Sequence, residues 1–168
     1  MHKFSLLVEG CVGFTSSRLD DTIREIETRL AERATTVEIK NLQSVKLQYT
    51  ITAVGMFSIF DAQAQRAFGA ADGFAAIREA LLEKGRKDLH ARFDQLTLAI
   101  NVLKHGEGRS YDQLLRMQDQ LPFKVKNAPD DFFDHGDCSE IDTLVDADSR
   151  FLKLCADVIY DVSDVIGI

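Results

Sequence analysis

Proline is nearly missing from this chain: of 168 residues only Pro122 and Pro129 are proline, and both come late. A long proline-free front half favours helices joined by short connections. Cysteine is scarce too. Cys11, Cys138 and Cys155 are odd in number, far apart and without a CxxC pair, which suits reduced thiols in a cytoplasm better than a disulfide framework. No long apolar run occurs. The opening "MHKFSLLVEGCVGFTSS" is broken by Glu9 and is too short to span a bilayer, so a cytoplasmic chain without a membrane partner is expected. Excess positive charge is absent as well. A formal charge of −7 argues against a protein that coats itself with nucleic acid, because neutralising phosphates takes clustered Lys and Arg. One local basic pocket remains compatible with it. Walker, GxGxxG, GxSxG and HExxH motifs are all lacking, and no cofactor is implied.

What is present is ordinary for a globular protein: 45% apolar and 28% charged residues. The length suits one domain over residues 1–168. Leu19, Ile23, Ile26 and Leu30 form one helical stripe, with Ser16 or Ser17 as the expected N-cap. Residues 37–68 are ambiguous. Val45, Leu47, Tyr49, Ile51 and Ala53 alternate as a half-buried strand would, yet the apolar pattern runs on too far for one strand. Tyr49, Ala53, Met56, Phe57 and Phe60 also share a helical face, and a long buried helix is the preferred reading. "GAADG" (69–73) marks a turn, "FAAIREALLEKG" a short helix closed by Gly85, and "RKDLHARFDQLTLAINVLKHG" a longer one ending at Gly106. "SYDQLLRMQDQL" reads as a helix capped by Ser110 and ended by Pro122. Residues 123–143 are irregular, with an extended piece at "FKVK". A final helix, capped by Asp146 or Asp148, carries Phe151, Leu154, Cys155, Val158, Val162 and Val165. The sum is an all-α bundle of about four main helices, with a long irregular connection before the C-terminal helix.

The stretch "NVLKHGEGRS" holds the candidate chemistry. Asn101 and His105 are four apart, so a helix projects them from the same side. Imidazole titrates near neutral pH and moves protons, while an amide orients a phosphate or hydroxyl. Lys104 and Arg109 offer positive charge, and Gly106 and Gly108 free the backbone between them. Those parts suit metal-free acid–base cleavage of a phosphodiester. They equally suit a plain helix end, where Lys and His meet the negative pole of the dipole and glycine stops the helix. Three other groups read as structural. Arg86 and His90 look like a solvated first turn, and Asp157, Asp161 and Asp164 like the wet face of the last helix. Cys155, on an apolar stripe, looks like core packing. The acidic run 130–140 contains metal donors, including His135 and Cys138, but no second pair at zinc spacing and no EF-hand pattern. No metal is expected.

"INVLKHG", at the end of a long helix, resembles the RNxxxH-type element of the HEPN superfamily, over residues 37–168 in helix order, with 1–36 as an N-terminal helical extension. Asn101 matches the polar residue of that element and His105 its histidine. Asp61, in "FSIFDAQ", resembles the acidic residue that often interrupts an earlier helix. The resemblance implies a homodimer with facing polar motifs and RNA as partner, cut without metal. In that case His105 transfers the proton, Asn101 orients the phosphate or the 2′-hydroxyl, and Lys104 or Arg109 stabilises charge. One departure stands out: Ile100 occupies the place of the family's arginine. The alternative is a non-catalytic helical protein whose dimer or protein-partner surface is its function.

Overall fold

Residues 36–68 carry a period of two and a period of 3.6 at once, and the longer period prevails. In the computed structural model, which describes all residues except 1–3, 34, 129, 131 and 133–140, this segment is a single helix. We label the helices α1 (Phe4–Glu32), α2 (Thr36–Phe68), α3 (Gly73–Glu83), α4 (Lys87–His105), α5 (Arg109–Arg116) and α6 (Ser149–Ile166). The all-α class is as expected, with four long helices and two short ones among the described residues. On α2 the alternating residues separate. Val45, Tyr49 and Ala53 turn inward with Met56, Phe57 and Phe60, while Leu47 and Ile51 face out. The Thr35 hydroxyl accepts the Glu38 N–H at 3.3 Å to open the helix, and Gly69, in the left-handed region, closes it.

The start of α1 corrects the sequence reading. Neither Ser16 nor Ser17 is a cap, because the helix begins twelve or more residues earlier, at Phe4. Ser5, Val8 and Val12 are buried and carry the stripe of Ile23 and Ile26 back to the start of the helix. No proline breaks the run, and Gly10 and Gly13 only weaken it. α1 and α2 then form a long antiparallel hairpin. The Arg29–Glu38 ion pair (3.0 Å) lies near its turn, the Tyr49 hydroxyl donates to Asp20 (2.5 Å) midway, and Phe4 stacks on Phe60 at the far end.

α6 lies against α1, α2, α3 and α4, and this central place explains why Phe151, Leu152, Cys155, Ile159 and Val162 are all buried. Asp148 caps it by accepting the Phe151 N–H at 2.8 Å. Phe93 of α4 meets the rings of Phe57, Phe60 and Phe74, which ties α2, α3 and α4 together. The connection before α6 is irregular as expected, and "FKVK" does lie extended. Val125 forms one antiparallel bridge with Val145, the sole strand-like pairing among the described residues. The expected helix over 110–121 is shorter. It begins at Arg109 with Gly108 in the cap position, so Ser110 lies inside it, and after Arg116 it gives way to a 3₁₀ turn at Gln118–Gln120. No described helix is long and apolar enough to cross a membrane.

Candidate functional site

The corner between α4 and α5 is set by two glycines. α4 is anchored by Phe93, Leu96 and Ile100, all buried, and by the Thr97 hydroxyl donating to the Phe93 carbonyl at 2.8 Å. At its end Gly106 takes φ 71° and donates its N–H to the Val102 carbonyl at 2.8 Å. Gly108, at φ 149°, adopts backbone that only glycine takes without strain, and its carbonyl accepts the Asp112 N–H at 3.0 Å to start α5. The glycines therefore reverse the chain.

Around this corner stand the four residues singled out in the sequence. Asn101 is half-buried, and Lys104, His105 and Arg109 are exposed. Asn101 and His105 project from neighbouring turns of one side of α4. Lys104 and His105 occupy the last turn of α4, and Arg109 opens α5. None of the four makes a side-chain hydrogen bond or ion pair with another described residue. Ile100, at the place of the resembled arginine, is 3% exposed and belongs to the core, so no cation stands there.

A cleft of about 410 Å³ opens beside the corner. Val102, Leu103, Gly106 and Glu107 form one wall, and Lys126, Asp130 and Asp142 stand opposite. Asn101 and His105 do not line it. They leave α4 about a third of a turn away from that wall, by helical geometry. Among the described residues, three carboxylates against one lysine make the cleft a poor seat for phosphate. Its outer wall is held by Tyr111, whose hydroxyl donates to the Lys126 carbonyl (2.8 Å) and accepts the Ala128 N–H (2.7 Å). This polar latch was not singled out in the sequence, since it joins residues fifteen and more apart.

The remaining candidates fall into place as structure. Both oxygens of Asp61 are engaged: the Phe74 N–H at the start of α3 (3.2 Å) and the Gln65 amide (2.8 Å). Arg86 is exposed, but His90 is no solvated first-turn residue. Its Nδ1 lies 3.3 Å from Asp94, which also receives Arg78, and the Arg78 guanidinium lies over the Phe93 ring. The i, i+4 spacing in "HARFD" was the available signal. Asp157 pairs with Lys153 and Asp161 with Arg92, as suits a wet face. Cys155 is fully buried, and burial pushes its thiol well above the ordinary range, which fits core packing and not a nucleophile. His135, Cys138 and most of the acidic run lie outside the described residues. Among the described residues no group of three metal-binding side chains comes together. Comparison with protein-family models, with curated proteins and with solved structures finds no match.

Proposed function

We propose that this chain is a HEPN-like helical domain that engages RNA at the α4–α5 corner, with the sugar–phosphate backbone as its ligand. One observation carries the reading: Asn101, Lys104, His105 and Arg109 gather around a glycine-built corner with no acid of the described chain paired to any of them. Lys104 and Arg109 supply charge to phosphate oxygens, and Asn101 an amide that reads a hydroxyl or phosphate. On this reading His105 moves the proton. In the cutting form of the reaction, a 2′-hydroxyl loses its proton to the imidazole and attacks phosphorus. The 5′-oxygen leaves and takes a proton from water, giving a 2′,3′-cyclic phosphate and a 5′-hydroxyl, and the imidazolium returns its proton to solvent.

Ile100 favours binding over cutting. An arginine in that place would hold the developing charge, and here the position is an apolar core site. The test uses a fluorescent single-stranded RNA. Binding to the full chain should weaken as salt rises, and Lys104→Ala with Arg109→Ala should weaken it by about tenfold and flatten the salt dependence by roughly two charges. If RNA binding is absent at low salt, or unaltered in the double variant, the corner is a helix end and nothing more. Incubation in EDTA decides the cutting form: cyclic-phosphate products with the wild type and none with His105→Ala.

A further inference from the structure

Four threonines in the middle of helices bond alike. Thr22, Thr28, Thr52 and Thr97 each donate their hydroxyl to the carbonyl four residues back, at 2.8–2.9 Å. Thr50 of α2 does not. It is 7% exposed, and its hydroxyl is buried with no hydrogen-bond partner among the described residues. An unpaired buried hydroxyl is costly, so native chains supply it a partner, from protein or from water. Against Thr50 lies a hollow of about 10 Å³. Lys46 and Thr50 form its α2 side, and Phe132, Ile141, Thr143 and Asp146, from the connection before α6, form the other.

We propose that Thr50 anchors a site for one internal water, which ties α2 to the connection at Thr143 and Asp146. The size selects the ligand. The hollow has room for the centre of a single water molecule and for nothing larger. The chemistry agrees. An internal water takes about two to four polar partners, and it both donates and accepts. Thr50 and Thr143 carry hydroxyls that do either, and Asp146 carries a carboxylate that accepts. A bare cation is the poorer occupant. It requires several oxygen ligands at once, whereas among the described residues one carboxylate lines this hollow and Lys46 stands beside it. The position gives the water a role. Thr143 borders this hollow on one side and the cleft beside the α4–α5 corner on the other. Tyr111 holds that wall from α5, through the backbone at Lys126 and Ala128. The water at Thr50 holds it from α2, just ahead of Asp148, which caps α6. The inference stands whether or not the corner binds RNA.

A high-resolution crystal structure of the full chain tests it. One ordered water should stand within about 3.2 Å of the Thr50 Oγ1 and of a polar atom of Thr143 or Asp146. Urea denaturation reads the same site by the sign of one effect. Where Thr50 holds a water, Thr50→Val loses that hydrogen bond and strands the water's other partners, so the urea midpoint should fall, with helical circular dichroism unchanged. Where the hydroxyl is simply unpaired, valine removes a buried orphan at nearly the same shape, and the midpoint rises. A midpoint that rises or stays level overturns the proposal. So does a crystal structure with no water in the hollow, or one in which the Thr50 hydroxyl donates to the Lys46 carbonyl as the other four threonines do to theirs.

Discussion

Gly73 has room for a hydrogen atom and nothing larger. A Cβ there would sit 2.5 Å from the Asp61 carbonyl oxygen, 2.7 Å from its carboxylate and 2.9 Å from the Ala64 methyl. The sequence offered this glycine as part of a turn, but it lies inside α3, and close approach of two helices is what requires it. Gly73→Ala should push α3 off α2 and cost about 2 kcal/mol or more, by overpacking and by loss of the Asp61 hydrogen bond to the Phe74 N–H. Gly10 is the contrasting position. It lies inside α1 with nothing near its would-be Cβ, so Gly10→Ala should stabilise by about 0.5–1 kcal/mol. Urea denaturation of both variants checks the pair. Equal effects would show that helix propensity alone governs these sites.

At the scale of elements, the sequence was legible wherever an apolar stripe had enough residues to be counted. α2, α3, α4 and α6 are of this kind. α1 was half legible, because glycines and serines dilute its first turns and its burial rests on Ser5, Val8 and Val12 alone. α5 was misjudged at both ends. Ser110 has the chemistry of a cap, but Gly108 has the backbone for the tight reversal, and the reversal decides. The site was legible in part. The helix end, its glycines and the exposed Lys104 and His105 follow from local chemistry. The acidic cleft and the Tyr111 latch depend on a connection whose path no periodicity encodes. Where local chemistry did identify a cap, it is testable. Asp148 holds the first turn of the helix that packs on four others, so Asp148→Ala should cost about 1 kcal/mol, while Asp148→Asn, an equally good cap, should recover most of it. Failure of asparagine to recover it would mean that charge at Asp148, and not the capping hydrogen bond, is what counts.

For the molecule as a whole, two buried groups among the described residues, Tyr49 and Cys155, make stability fall on the alkaline side. Cys155 is sealed among the α6 core residues, and burial raises its thiol far above the ordinary value near 9. Tyr49 is raised above the ordinary value near 10, first by burial, then by its hydrogen bond to Asp20 and by the negative charge of Asp20 and Asp148. In both cases the folded chain keeps a proton that the unfolded chain releases. The unfolded state therefore binds fewer protons above those ordinary values, and stability falls as pH rises. The loss from Cys155 begins above pH about 9 and approaches about 1.4 kcal/mol per pH unit. The loss from Tyr49 joins it above pH about 10, and is smaller because the hydroxyl meets Asp20 near the solvent edge of the hairpin. Below pH about 9 both groups are protonated in either state and contribute no slope. Urea midpoints measured from pH 8 to 11 should be level at first and then fall, steepening above 10. In Tyr49→Phe the descent should keep its onset and lose the steepening, since the phenyl ring fills the same space and has no proton to hold. An unaltered descent in that variant would remove Tyr49 from the account.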